Sequence, residues 1–352
     1  MIPPEQSSSG RPSRPVIAAV LIARDEARCI LRCLESIRPW VDRMVVLDTG
    51  SSDDTAALAR QCGAEVHHMA WPDDFSIARN RALELADADW NLVIDADEWL
   101  HSGGDMLHRW CDGSPRLGQV CIHSSFDPPQ GSVAAAASSS RSWITRVLPR
   151  GVRFEGRVHE QVASSLPREH VDLHVEHDGY LDAQIATKRE RNLPLLLREL
   201  EDHPEDPYIQ FQLGKESEGR DEFAAAGQWY ARALTRTSPD ANWRHELLVR
   251  HLHCLGRSGR VDEALGIAEQ QIEIWQDSPD FFFVLGNLLL DRAMSDPAQA
   301  IGQWLPLAGS AWERCLEIGE RPDLDGSVHG RGSHLARHNL DILKSQMALF
   351  AG

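Results

Sequence analysis

The unbroken apolar run from Val16 to Ala23 (VIAAVLIA) constrains this chain more than any other feature. A strand with one wet face alternates polar and apolar residues. One that is apolar at every position must be covered on both faces, as in a parallel sheet flanked by helices. The chain keeps that rhythm as far as Asp95. A helical stretch from about Glu26 to Ile37 sets Ile30, Leu31, Leu34 and Ile37 on one side. Arg43 to Asp48 (RMVVLD) reads as a second strand, and Asp53 to Cys62 as a second helix capped by Ser51 or Ser52. Glu65 to Met69 is a short third strand, Phe75 to Ala86 a helix, and Trp90 to Ile94 a fourth strand ending at Asp95. Strands alternating with helices at this spacing predict a doubly wound, Rossmann-like α/β domain with a mostly parallel sheet, whose ligands bind at the carboxyl ends of the strands.

The second half changes period. Gly131 to Ser142 is low in complexity and reads as a loop or insertion. Trp143 to Leu148 and Val171 to His177 alternate as strands of a mixed edge do, with GVRFEGRVHEQ (151–161) between them. From about Thr187 the pattern is wholly helical. Pro207 to Pro239 carries the spacing of a tetratricopeptide repeat, with Leu213-Gly214 in its first helix and Ala226, Tyr230 and Ala233 in its second. Asp262 to Leu265 and Leu285-Gly286 mark looser copies, giving two to three degenerate repeats. The division expected is a tail over 1–15, a catalytic domain over 16–186 and a repeat domain over 187–352.

Charge narrows the partners. With 53 acidic against 36 basic residues the formal charge is −17, which excludes a nucleic-acid footprint. A nucleotide diphosphate is still accessible if a divalent cation or local arginines neutralise it. The seven cysteines never form a CxxC pair, which fits reduced thiols and a cytoplasmic setting. Residues 1–15 are rich in Pro and Ser and read as a disordered tail rather than a signal peptide. No apolar run reaches the roughly 18 residues that cross a bilayer.

Acidic and polar clusters fall where each early strand ends: Arg24-Asp25-Glu26, Asp48 to Asp54, and Asp95-Ala96-Asp97-Glu98. Two carboxylates one residue apart at a strand end suit a hard divalent ion that also holds a diphosphate. Gly50 would let the chain turn tightly beside a nucleotide. Asp73 to Asn80 opens the third helix and brings Arg79 and Asn80 toward the same edge.

Taken in series, ARDEARCILRCLESI, VVLDTGSSDDT, DDFSIARNRALELADADWNLVIDADEWL, FEGRVHEQ and HDGY resemble the family-two inverting glycosyltransferases, in the bacterial subgroup with a tetratricopeptide-like C-terminal domain. The resemblance covers most of residues 16 to 290. It implies the A-type nucleotide-sugar transferase fold, a UDP-sugar donor, and Mn²⁺ or Mg²⁺. It implies that Ala23, Arg24, Asp25, Glu26, Asp48 and Ala96 line the nucleotide-sugar pocket, although the family more often has Asn where Asp25 stands. Asp95 would approach the ribose or a metal-bound water, Asp97 would ligate the metal, and Arg79 and Asn80 would fix sugar or phosphates. In GRVHEQ, His159 is the expected metal ligand, with His177 competing. Glu160 is the expected general base and Arg157 the neutraliser of the leaving diphosphate.

The acceptor is left among glycan, lipid-linked and peptide or protein substrates, and the repeats offer a surface for an extended peptide or a second subunit. Two rival readings are a degenerate transferase domain serving a repeat-based scaffold, and a nucleotidyltransferase. The second lacks a glycine-rich loop after the first strand. His67-His68 has no third ligand nearby. Trp229, Trp243, Trp275, Trp304 and Trp312 read as interhelical filler, and Phe281-Phe282-Phe283 as core or an exposed contact surface.

Overall fold

The computed structural model describes residues 14–126, 138–177 and 182–351. Most of the expected tail, residues 131–137 of the Gly131–Ser142 loop, and the Asp178-Gly179-Tyr180 end of the HDGY motif lie outside the described residues. The chain divides into two compact units. The first holds Met1–Cys121, Ile144–Glu155 and Glu160–His177; the second holds Ile122–Trp143, Gly156–His159 and Asp178–Gly352.

The first unit opens with β1 (Ile17–Ala23), α1 (Ile30–Ile37), β2 (Arg43–Asp48), α2 (Thr55–Gln61), β3 (Glu65–His68), α3 (Phe75–Ala86) and β4 (Trp90–Val93). Then come β5 (Glu98–Ser102), α4 (Leu107–Cys111), β6 (Leu117–Phe126), β7 (Ser138–Pro149), β8 (Arg153–Glu155), β9 (Gln161–Ala163) and β10 (Arg168–His177), with β6 from Ile122 and β7 up to Trp143 counted in the second unit. Eight strands make one mixed sheet in the order β3-β2-β1-β4-β7-β6-β10-β5, and β8 pairs with β9 separately. Parallel pairing joins β1 to β2 (Ala18↔Arg43 through Ala23↔Asp48) and to β4 (Ile17↔Trp90 through Val20↔Val93). The sheet turns antiparallel at β4–β7, where Leu92 faces Val147. The continuous apolar run thus lies between two strands, and all of β1 except Ile22 is buried. Helix α3 reaches the sheet with Ala78, Ala82 and Ala86, small enough for close approach.

Two helix starts differ from the sequence expectation. Asp25 sits at φ 56 and Cys29 N–H bonds Glu26 carbonyl at 3.1 Å, so the chain turns first and α1 begins only at Ile30. Helix α2 begins at Thr55 without a side-chain cap. Ser51 and Ser52 are unavailable as caps because both hydroxyls are engaged with Asp25.

The second unit contains α5 (Asp182–Asp202), α6 (Pro207–Glu218), α7 (Phe223–Arg236), α8 (Arg244–Arg257), α9 (Val261–Gln271), α10 (Pro279–Ser295), α11 (Pro297–Gln299), α12 (Leu305–Ile318) and α13 (His334–Ala351). The small residues that suggested repeats sit where helices touch. A Cβ on Gly214 of α6 would stand 2.2 Å from the Tyr230 ring of α7, and one on Gly286 of α10 would stand 2.5 Å from the Trp312 indole of α12. Ala226, Ala233 and Ala264 are fully buried. Trp243 stacks on Phe211 at 5.1 Å, and Phe281 and Phe282 are buried in the helical core, which settles that triplet as packing.

Candidate active site

The carboxyl ends of β1 and β2 are sewn together by short polar bonds. Asp48, buried at the end of β2, accepts the backbone N–H groups of Gly50 (2.8 Å) and Ser51 (2.7 Å) through one oxygen. Gly50 turns the chain at φ 108, a conformation that a side chain would strain. Asp48 Oδ2 lies 3.6 Å from Nδ1 of His68, an exposed histidine that also meets Arg60. Asp25 accepts Ser52 N–H (2.7 Å) and its hydroxyl (2.9 Å), and the Ser52 bonds hold its carboxyl below the usual carboxylate range. Glu26 N–H donates to Thr55 and Ala27 N–H to Asp53. Ala23, the last residue of β1, accepts Thr49 N–H at 2.9 Å. Arg24 is exposed beside Asp25. The pocket expected from the resemblance is therefore a braced edge.

A buried charge cluster stands at the end of β4. Arg79 Nη2 donates to Asp95 Oδ1 at 2.7 Å, and Arg79 Nε donates to Glu160. Arg146, from β7, donates through Nη2 to Asp95 Oδ2 (2.8 Å) and Glu98 Oε1 (2.7 Å). The second Glu98 oxygen accepts Asp95 N–H at 2.9 Å. Burying ions is costly unless they are paired, and here two guanidiniums meet three carboxyl groups. Burial pushes the Asp95 carboxyl up, but Arg146 and Arg79 more than offset it and hold it well below the carboxylate range. Burial raises Glu98, which Arg146 offsets only in part. Both arginines are held above their ordinary range by the surrounding carboxylates, against the opposing pull of burial. Among the described residues, Arg79 Nη1 and Arg146 Nε are buried without a hydrogen-bond partner.

Asp97 completes the turn, with its Oδ2 3.4 Å from His177 Nε2 and both side chains largely buried. A carboxylate oxygen and an imidazole nitrogen are donors that Mn²⁺ accepts. Two ligands at right angles on an ion with bonds near 2.1 Å would stand about 3 Å apart. The donor set therefore fits a divalent ion. Ala96, between the carboxylates, is buried.

Asn80 clasps β8 through its amide, donating to Phe154 carbonyl (2.9 Å) and accepting Phe154 N–H (2.8 Å). Arg157 belongs to the second unit, where its guanidinium pairs with Glu199 and Asp202 of α5. His159 also belongs to the second unit. Burial, reinforced by the Lys215 and Arg191 cations, drops its pKa to about 4. Of the two candidate histidine ligands, His177 is the one placed on Asp97.

Residues 18–117 match the sequence model of the family described as Glycosyl transferase family 2. The matched segment lies in the first unit and runs from β1 to the start of β6. The chain also has relatives among curated proteins. A TPR repeat-containing protein of Synechococcus elongatus is 35% identical over 71% of this chain and 64% of its own length. The SPbeta prophage-derived glycosyltransferase SunS of Bacillus subtilis is 29% identical over 71% of this chain and 61% of its own length. The chain thus spans less than two thirds of either relative. Glucosyl-3-phosphoglycerate synthase from Mycobacterium tuberculosis, solved with Mg²⁺ and UDP, is 27% identical over 31% of this chain and 44% of its own, with a TM-score of 0.27, an overlap too small to argue from.

Two members of the charge cluster were missed from sequence: Arg146 as a partner of the DxD turn, and Glu98 as more than its third acidic residue. A signal existed for Arg146. A charge set directly before Val147 and Leu148, where the strand becomes buried, requires a buried partner.

Proposed function

We propose that this chain is a metal-dependent glycosyltransferase that moves a hexose or N-acetylhexosamine from a UDP-sugar to an acceptor with inversion at the anomeric carbon. The observation that carries this reading is Asp97 facing His177 at the end of β4, on a turn whose Asp95 is held between two buried arginines. The family match and the glycosyltransferase name of the SunS relative support the same class.

In this reading Ala23, Arg24, Asp25, Glu26 and Asp48 receive the base and ribose at the braced edge. Asp97 and His177 would hold a divalent ion, Mn²⁺ or Mg²⁺, which when bound supplies positive charge to the diphosphate. Asp95 fixes the turn and faces the ribose side. Arg79 takes the neutralising role first given to Arg157, since its Nη1 is a buried donor with no partner among the described residues. Glu160, oriented by Arg79, takes the proton as the acceptor hydroxyl or thiol attacks the anomeric carbon. The bond to the diphosphate oxygen breaks on the opposite face, which inverts the configuration. The helical unit offers a surface for a glycan, lipid-linked or peptide or protein acceptor, or for a second copy. All seven cysteines are buried, as suits the cytoplasm, and no helix among the described residues is long and apolar enough to cross a membrane.

Titration calorimetry of UDP with and without Mn²⁺, followed by hydrolysis of a UDP-, GDP- and dTDP-sugar panel, tests the proposal. Mn²⁺-dependent UDP binding with slow hydrolysis of a UDP-sugar is expected. No binding under either condition would leave the scaffold reading in its place.

A further inference from the structure

We propose that Arg146 is a positioning residue for the nucleotide–metal end of the site, acting through Asp95 and Glu98 rather than by touching the donor. The inference deepens the proposed function and rests on it. Three observations carry it. First, a single nitrogen of Arg146 meets both Asp95 Oδ2 (2.8 Å) and Glu98 Oε1 (2.7 Å), so one cation joins the first and last carboxylates of the turn. Second, Glu98 closes a ring with the same residue: its carboxylate accepts Asp95 N–H (2.9 Å), and its own N–H donates to Asp95 carbonyl (3.0 Å). The side chain, N–H and carbonyl of Asp95 are thus all fixed, and Ala96 and Asp97 have little freedom in where they project. Third, Glu98 is the cross-strand neighbour of His177 in the β5–β10 pair. The turn is therefore anchored to β7 through Arg146 and to β10 through His177, the strand that brings the second donor to Asp97.

The position of Arg146 follows from topology. Strand β7 runs antiparallel beside β4, with Val147 opposite Leu92, so the residue before Val147 lies near the carboxyl end of β4. The Arg146 side chain is 9% exposed, too enclosed to serve as a surface cation for a ligand. Its remaining buried donor, Nε, has no partner among the described residues, so its hold on the turn comes through Nη2. Arg79 approaches Asp95 from the other oxygen, but it reaches Glu160 instead of Glu98. The two arginines are not interchangeable: Arg79 links the turn to the expected base, and Arg146 braces the turn itself.

The test uses the full chain with MnCl₂ and UDP as probes, comparing wild type, Arg146→Lys and the charge-balanced pair Arg146→Met with Glu98→Gln. Each is titrated with UDP in the presence and absence of Mn²⁺, and thermal melting is recorded alongside. Mn²⁺ should tighten UDP binding in wild type. The double variant should lose about tenfold or more of that enhancement and Arg146→Lys should lose less, while metal-free UDP affinity stays within about twofold in both. A purely structural role predicts a lower melting temperature with the Mn²⁺ enhancement intact, and that result overturns the proposal. If the double variant fails to fold, an unchanged enhancement in Arg146→Lys overturns it and a reduced one supports it. Wild type showing no Mn²⁺-dependent binding refutes the functional reading itself, a separate failure.

Discussion

Replacing one carboxylate of the β4 turn with its amide separates charge from shape. Asp97→Asn keeps the volume beside His177 and removes the anion that makes the pair a donor set for a hard ion. Mn²⁺-dependent UDP binding should weaken by at least about 10- to 100-fold, the loss that follows even when a partner behind a metal ligand is removed. The melting temperature should move little, because Arg79, Arg146 and Glu98 hold the turn without Asp97. Glu160→Gln asks a different question. Removing a general base typically costs about 10²–10⁴ in rate, so kcat should fall by that factor with donor KM nearly unchanged. Steady-state transfer kinetics decide it, and near-wild-type turnover assigns the proton to another group. How legible these residues were depends on distance along the chain. Asp95 and Asp97 could be read because a strand and its carboxylates are adjacent in sequence. The pairing of Arg146 with Asp95 spans fifty-one positions and depends on β7 settling beside β4, which no local pattern encodes. Asn80 shows the same limit: its place on α3 is local, but its amide bonds the backbone of Phe154, far along the chain.

At the scale of elements, periodicity identified what packing enforces and missed what local hydrogen bonds decide. Helix α3 was legible to the residue because Asp74 caps it, accepting Ile77 N–H at 2.9 Å. Helix α2 was not, since its expected caps are drawn off to Asp25. Asp74→Ala should therefore cost about 1 kcal/mol in urea unfolding, as lost caps do. The repeat spacing was legible through its small residues, and two glycines test why. A Cβ at Gly214 meets the Tyr230 ring at 2.2 Å, whereas one at Gly266, in α9, meets nothing within 4 Å. Gly214→Ala should destabilise by about 1–3 kcal/mol through overpacking. Gly266→Ala should stabilise by a few tenths to about 1 kcal/mol, because alanine narrows the unfolded ensemble at a helical position. Equal effects at the two sites would show that helix propensity, and not contact with Tyr230, explains the glycine in α6.

At the scale of the whole molecule, the change of period near Thr187 announced a helical half, but composition alone did not reveal how that half responds to acid. The pH response comes from where its titratable groups are enclosed. His251 is 2% exposed and burial drops its pKa to about 4, with Arg260 adding to the effect and Glu263 opposing it. His159 is likewise held near 4, and burial also lowers His253. An unfolded histidine titrates near 6.5. Between those values the unfolded chain binds more protons than the folded one, so stability falls as the pH drops. The histidine contribution is fully present above about 6.5 and is lost on the way down through 4. Glu246 extends the trend. Burial pushes it up, but Lys215 and Arg250 more than offset that and hold it at about 2. Its stabilisation is present above its unfolded value near 4.3 and is lost as the pH falls toward 2. Urea midpoints measured by circular dichroism should therefore decline from pH 7 to about 4 and continue down below it. His251→Leu should flatten the upper part of that profile by about 2–3 kcal/mol while leaving the part below pH 4 in place. An unchanged slope above pH 4 would mean that His251 does not stay neutral in the fold.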